Sequence, residues 1–404
     1  MVASKRIWTT PSGEPREAWV VRYYHEGKYR LKTFEREREA KDWEAQMKVD
    51  QKNGLHRPER TSITIRQAGA LWLATCHAEK LEPEAIRKYD GHLRVHIYPA
   101  MSPKNAPAGW DGQLGDLKLS KLTTPMCEVF KRLVLETKAR TKTGKITDRT
   151  ISRRTASHVM ASFKTMLNDA QRCGMISYNP ALPVRIKMKA RDGAPLRIGE
   201  HIPDRADVLA IVNASVGMWR VLFKTGASTG MRTSELRSLA WPNINLEVGD
   251  GKITVCDRAD RQRKIGPVKT KTSYRTIQIG DDLVSDLRRW KEVCSAGDLK
   301  LVFPDKNGNV MSDDKIRTTI HAVQRRIGMV RPNGKPKYNV HSLRHFYVSV
   351  MIDAGTPPKR LQELLGHASL QMTMDLYGHL FPPTSDEIDR INKAMAKVFA
   401  DAAD

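Results

Sequence analysis

The chain has 404 residues, of which 69 are lysine or arginine and 45 aspartate or glutamate, a formal charge of +24; 40 % are hydrophobic. That apolar fraction excludes wholesale disorder, and the length exceeds what one hydrophobic core fills, which predicts two or three domains. No apolar run approaches the ~18–20 residues that span a bilayer, and the basic start has no apolar stretch behind it. The five cysteines (Cys76, Cys127, Cys173, Cys256, Cys294) are scattered with no C-x-x-C pair, against both a disulfide scaffold and a zinc ribbon. The expectation is a cytoplasmic, multidomain protein whose charge suits a polyanion.

In chain order, residues 19–24 and 28–34 are β-rich runs joined by a glycine-containing turn at 25–27, with 7–9 as a third strand. A helix from about 35 to 51 follows, closed by Gly54. Arg22, Lys28, Arg30 and Lys32 are interleaved in the strands; a β-ribbon that reads a DNA groove and an ordinary sheet with a polar face fit them equally. Thr64 and Gln67 have the spacing of a capping box ahead of the stripe Ile65, Ala68, Leu71 and Trp72. A further helix follows Pro83 and ends near Pro99, and the Pro/Gly-rich residues 99–115 read as a loop. Thr124 and Pro125 read as an N-cap with proline at the first helical position.

Half of the charge excess, +12, lies in residues 131–197, one sixth of the chain. There Arg149, Arg153, Arg154, Lys164 and Arg172 are threaded through Ile151, Val159, Met160, Phe163, Met166 and Leu167 at helical spacing. One face of such a helix packs and the other is cationic, as tracking a phosphate backbone requires; a merely solvated face is the alternative. The helix ends at Cys173 and Gly174, and residues 181–203 read as an extended linker. Beyond 204 the pattern is mostly helical, interrupted by a hairpin-like passage at 252–256 and 274–279 with a polar, basic stretch between. The fold class expected is mainly α with small β elements (α+β), in segments 1–60, 61–180, a linker 181–203, and 204–404.

Three stretches of the last segment carry chemistry: Thr229-Gly-Met-Arg-Thr-Ser-Glu-Leu236, His341-Ser-Leu-Arg-His345, and residues 365–379, which contain Gly366, His367 and Tyr377. Attack on a phosphodiester spreads negative charge over non-bridging oxygens, and Arg232 and Arg344 each offer a charged, bidentate fork for them. His341 and Arg344 are i and i+3, so one helix face presents both. Tyr377 supplies an oxygen nucleophile whose ordinary pKa near ~10 calls for a proton acceptor or a cationic pocket. His341 is the candidate base and His367 a donor to the phosphoryl oxygen. His345 and His379 read as bystanders.

In this order the three stretches resemble the tyrosine recombinase (phage integrase) family, over the whole 200–404 region. The basic helical segment resembles that family's core-DNA-binding domain, and residues 1–60 look like the arm-site-binding module of lambda-type integrases. The resemblance implies a site-specific DNA recombinase that cleaves and rejoins strands through a 3′-phosphotyrosyl intermediate to integrate and excise a mobile element. It implies a hairpin lysine as general acid, and the family pattern Lys-Thr-x-x-Ser-x-Arg falls on Lys269, Thr270, Ser273 and Arg275, with Lys271 left open. Glu235 would brace the site. No cofactor and no metal are implied, arginines taking the place of ions. The partners implied are double-stranded DNA attachment sites, a homotetramer on that DNA, a directionality factor and a host DNA-bending protein as accessories, and no membrane. A helix at 385–399 with Ile388, Ile391, Met395 and Val398 would pack on a neighbouring protomer or on its own domain. A type IB topoisomerase-like enzyme and a catalytically inactive DNA-binding protein are the rival functions.

Overall fold

β-rich runs near the start form an antiparallel sheet, β1 (Ala3–Thr9), β2 (Pro15–His25) and β3 (Lys28–Phe34), in that order, followed by α1 (Glu37–Lys52). Tyr23 meets Trp43 of α1 edge-on at 5.3 Å, and Phe34 lies 5.6 Å from the same ring. The register pairs Tyr23 with Arg30, Val21 with Lys32, and Arg22 with Leu31. Cross-strand partners share a face, so Lys32 lies on the Trp43 side, 5.0 Å from its ring, and Arg22 on the opposite side. Arg22, Arg30 and Lys32 therefore divide between the two faces instead of lining one.

The computed structural model describes residues 3–10, 13–25, 28–52, 62–104, 110–140, 144–188, 195–295, 297–381, 391–393 and 395–396, and the chain separates into units Met1–Gly193 and Ala194–Asp404. Residues 26–27 of the first expected turn, and Gly54, lie outside the described residues.

In the first unit, α2 (Ile65–Ala78) starts at the Thr64 capping box. Ile65, Ala68 and Trp72 are buried, but Leu71 is 49 % exposed. At 100° per residue it sits about 120° around the helix from Ile65, beyond the packed stripe. Next come α3 (Pro83–His92), continued by a π-helical turn Leu93–Ile97, and α4 (Thr124–Glu136). Thr123, one residue before the expected cap, accepts the cap hydrogen bond from Met126 N–H, and Pro125 follows the first helical residue. The 99–115 stretch is tacked down by buried Trp110 and Leu114.

Two features depart from the expected helix and linker. A hairpin, β4 (Lys138–Arg140) and β5 (Ile146–Thr150), separates α4 from α5 (Arg153–Arg172), so Arg149 lies on a strand. Its β-branched Ile146, Thr147 and Thr150 favour that geometry. After α5, Ile176, Ala181 and Val184 enter the same core as Trp72, Phe130 and Phe163. Asn179 donates to Lys164 O (2.9 Å) and to Asn168 Oδ1 (2.7 Å), so the chain through 188 packs where an extended linker was expected.

The second unit holds α6 (Arg205–Asn213), α7 (Met218–Thr229), α8 (Thr233–Leu236), β6 (Ile244–Asn245), β7 (Lys252–Val255), β8 (Asp257–Ala259), β9 (Ile265–Pro267), β10 (Arg275–Gln278), α9 (Asp281–Val293), α10 (Asp313–Arg326), α11 (Val340–Asp353), α12 (Pro358–Leu365) and α13 (Leu370–Tyr377). Strands order β10-β7-β6, with Ile277 opposite Ile253, both buried in the core. The basic stretch between β7 and β10 folds as its own ribbon, β8–β9. A second apolar cluster, with Tyr347, Val348, Leu361, Leu365 and Tyr377, joins α11, α12 and α13. Of the expected C-terminal stripe, Ile391 and Met395 are exposed; Ile388 and Val398 lie outside the described residues. No helix of the described residues is long and apolar enough to cross a membrane.

Candidate active site

A helix leaves its last carbonyls without partners and carries partial negative charge at that end. At the end of α12 three successive carbonyls each accept from a different guanidinium. Leu364 O takes Arg275 Nε (2.7 Å), Leu365 O takes Arg344 Nη2 (2.7 Å) and Gly366 O takes Arg232 Nη2 (3.0 Å). Gly366 caps the helix at φ 60°, and a Cβ there would lie 3.0 Å from Ser273 Cα. Only glycine combines that backbone with that approach.

Arg232 enters from the turn that ends α7. Gly230 closes that helix at φ 61°, and its carbonyl accepts from Arg344 Nη1 at 2.6 Å. Arg232 then precedes α8, and Glu235 folds back to accept from the Arg232 backbone N–H (2.8 Å) and from its Nη1 (2.8 Å). Glu235 also accepts from Arg275 at 2.8 and 3.2 Å. Burial of Glu235 pushes its carboxyl pKa upward, but the hydrogen bond and charge of Arg275, with Arg232, more than reverse this and hold it below the ordinary range. Arg275 belongs to the lysine-containing pattern but not to the expected site, because a lone arginine at the start of a strand carries no signal of which carboxylate it will meet.

Asn339 caps α11, which presents His341, Arg344 and His345 on one side. Arg344 is 2 % exposed, and burial together with Arg232 lowers its guanidinium to about 9, still charged at neutral pH. His341 occupies the first turn with an exposed edge; the protein packed around it, then Arg344 and Arg232, hold it below the ordinary imidazole range. The rings of His341 and His345 meet edge-to-face at 4.8 Å. His367, buried after the α12 cap, has Nδ1 2.9 Å from Thr373 Oγ1 and is lowered to about 3 by burial and by Arg344.

Tyr377 ends α13 and is 1 % exposed. Of that helix, only Thr373 and Tyr377 are buried, while Leu370, Met372, Met374 and Leu376 face outward. Burial raises the phenol to about 12 against the opposing pull of Arg344 and Arg232. Its hydroxyl lies 2.7 Å from His345 Nδ1. From residue type and spacing the acceptor is His341 and His345 a bystander; in the structure one helical turn places His345 deeper, toward Tyr377, and leaves His341 at the mouth. His379 Nε2 meets Leu196 O at 2.7 Å, a structural contact.

Lys269 is exposed, beyond β9 and ahead of the tight turn Lys271–Ser273 that packs on Gly366. That turn is held by Thr270 Oγ1 against Ser273 Oγ at 2.9 Å. The structure thus brings Arg232, Glu235, Arg344, His367 and Tyr377 together with Arg275 and His345, places His341 at the mouth, and sets Lys269 on the flanking turn. The Lys271 side chain lies outside the described residues.

The five cationic candidates of the first unit divide by use. Arg149 on β5 and Arg154 on α5 are exposed. Arg153 donates to Lys187 O (2.8 Å) and Lys164 to Leu182 O (3.2 Å), both securing the chain that follows α5. Arg172 pairs with Asp169.

Residues 206–382 match the family model of the phage integrase family. The XerC-like tyrosine recombinase of Caldanaerobacter subterraneus subsp. tengcongensis is 24 % identical over 82 % of this chain and 83 % of that protein. The ICEBs1 integrase of Bacillus subtilis is 29 % identical over 42 % of this chain, a match that spans about half, 48 %, of that relative. Two solved structures share the fold. The Tn1549 transposon integrase in complex with a circular intermediate DNA has a TM-score of 0.61 at 16 % identity, covering 83 % of this chain and 100 % of that one. A lambda integrase tetramer bound to a Holliday junction has a TM-score of 0.52 at 15 % identity, covering 90 % and 95 %.

Proposed function

Through residues 206–382 the chain belongs to the phage integrase family of tyrosine recombinases, and from that membership we propose that it integrates and excises a mobile DNA element by site-specific strand exchange. Tyr377 attacks a phosphodiester, a 3′-phosphotyrosyl bond forms, and a 5′-hydroxyl leaves. Arg232 and Arg344 hold the non-bridging oxygens with their forks. His341 at the mouth and His367 within donate to the phosphoryl group, Lys269 protonates the leaving oxygen, and Glu235 braces Arg232; Lys271 is the other lysine for the acid role. The observation that carries this reading is the convergence of Arg232, Arg344 and Arg275 on one helix end beside an enclosed tyrosine. Glu235 and the carbonyls at the α12 end offset part of that charge, and the net positive surplus suits a phosphate.

The phosphotyrosyl bond conserves the energy of the cleaved bond, so a partner strand reverses the step. Two exchanges through a four-way junction use four active sites, hence a homotetramer on double-stranded attachment sites. Residues 1–60 serve as an arm-site module, and Arg149 and Arg154 contact the core-site backbone. A directionality factor and a host DNA-bending protein are the accessory partners of such a reaction.

The test uses a nicked duplex bearing the attachment repeat found in the DNA that flanks the coding sequence. Wild type traps a covalent protein–DNA adduct, and Tyr377→Phe forms none while shifting the same duplex in a gel. Adducts that persist in Tyr377→Phe overturn the nucleophile; on a separate supercoiled plasmid, relaxation by wild type without exchange between two sites indicates a topoisomerase. Deletion of residues 1–60 spares cleavage of the core duplex and impairs recombination of full attachment sites. Equal recombination of minimal and full sites by the truncated protein overturns the arm-site role.

A further inference from the structure

Resting on that reading and deepening it, we propose that His345 is the base that takes the phenol proton of Tyr377 as the strand is cut. The hydroxyl lies 2.7 Å from His345 Nδ1, within the reach that proton transfer requires. His341, the alternative imidazole, stacks edge-to-face on His345 and backs it. It stands at the mouth, where an incoming phosphate meets it first.

Every charged or titratable neighbour of His345 other than Tyr377 favours the neutral imidazole. His341 and Arg344 come from its own helix, and His201 from the segment ahead of α6. A neutral ring with its proton on Nε2 presents the Nδ1 lone pair to the phenol O–H. Burial raises the phenol to about 12 and, with His341 and Arg344, lowers the imidazole to about 4, so the proton does not leave before attack. It moves as the new bond forms, because an aryl oxygen bonded to phosphorus loses its basicity. The arriving phosphate monoanion also offsets the charge of Arg344 on His345.

The step balances. Tyr377 Oη bonds to phosphorus, the bond from phosphorus to O5′ breaks, the phenol proton passes to His345 Nδ1, and O5′ takes a proton from Lys269. Rejoining runs in reverse, with the His345 imidazolium returning its proton to the departing phenol oxygen. His345 touches the reacting oxygen itself and so counts as a catalytic residue, distinct from Thr373, which positions His367.

The test measures single-turnover adduct formation on the nicked duplex described above, with a second duplex carrying a 5′-bridging phosphorothiolate, whose sulfur leaves without an acid. His345→Ala and His345→Gln should shift the duplex like wild type but form adducts about a hundredfold more slowly, a typical loss for a general base. Imidazole in the buffer should restore part of the His345→Ala rate, and the phosphorothiolate should restore none. Lys269→Ala should be restored by the phosphorothiolate. The wild-type rate should fall as pH drops through the imidazole value of the DNA complex, and His345→Gln should flatten that limb. A wild-type rate in His345→Gln overturns the proposal, even where His345→Ala fails to fold. Recovery of His345→Ala on the phosphorothiolate overturns it too, by placing His345 at the leaving oxygen. Failure of wild type itself to form adducts removes the proposed function, a result distinct from a fast His345 variant.

Discussion

Glu235→Ala is the perturbation whose cost the structure defines best. The carboxylate is 3 % exposed and accepts from the Arg232 backbone N–H, Arg232 Nη1, and both Nη atoms of Arg275. Truncation leaves Arg275 buried, still donating to Leu364 O and Ser273 O but without its counter-charge. Removing one partner of a buried ion pair costs about 3–5 kcal/mol, because the remaining charge stays desolvated. For a unit of about 200 residues, each kcal/mol lowers Tm by roughly 2–4 °C, so Glu235→Ala should melt roughly 6–20 °C below wild type. Glu235→Gln keeps the shape and one acceptor but turns an NH2 group toward guanidinium N–H groups; it should lose about 2–3 kcal/mol. The pH dependence follows from the direction of the shift. The folded carboxyl is held below its unfolded value near ~4.3. Its contribution is therefore complete above that value and is lost as pH falls through the folded one. Urea titrations of wild type and Glu235→Gln should differ fully at pH 7 and converge in acid. A difference under about 1 kcal/mol at pH 7, or one that grows in acid, would refute the reasoning.

Gly230→Ala forces a side chain onto φ 61° with its Cβ 2.5 Å from the Tyr347 ring. About 1–2 kcal/mol of backbone strain and about 1–3 kcal/mol of overpacking should appear as a lowered urea midpoint, with slower adduct formation because Gly230 O also anchors Arg344. On α2, Trp72→Ala should cost about 3–5 kcal/mol and Leu71→Ala under ~0.5 kcal/mol, read as denaturation midpoints. Equal losses at the two positions would place Leu71 in the core.

The chemistry was legible because it depends on residue types that sequence states outright. Arg232 in its stretch, His341 and Arg344 three apart on a helix, and Tyr377 state charge, forks and a hydroxyl by residue type and spacing, and their order along the chain, through the family it resembles, singles them out as a set. The capping box at Thr64, and the turn in which Glu235 accepts from the Arg232 backbone N–H, are likewise local, set within four residues. In the basic 131–197 stretch, α5 buries Val159, Met160, Phe163, Met166 and Leu167 as their spacing requires, but the residues ahead of it do not continue the helix, for the opposite reason. Helical periodicity in α5 was extended back across β4–β5, where a hairpin is stabilised by cross-strand pairing that no local pattern shows. Arg153 and Lys164 look like DNA-facing cations in sequence, yet they hold the chain that returns along α5.

By itself, then, the sequence determined which groups are available: two fork-bearing arginines, the tyrosine proposed as nucleophile, their histidines, and the mainly helical elements that carry them. Tertiary structure decided which groups meet. The end of α12 collects Arg232, Arg275 and Arg344 because three unpaired carbonyls at a negative helix terminus are a binding site for cations, and residues 134, 89 and 21 positions away reach it only when α7, β10 and α11 pack around it. The same packing turns His345 rather than His341 onto Tyr377, a choice of one helical turn that depends on where α13 lies.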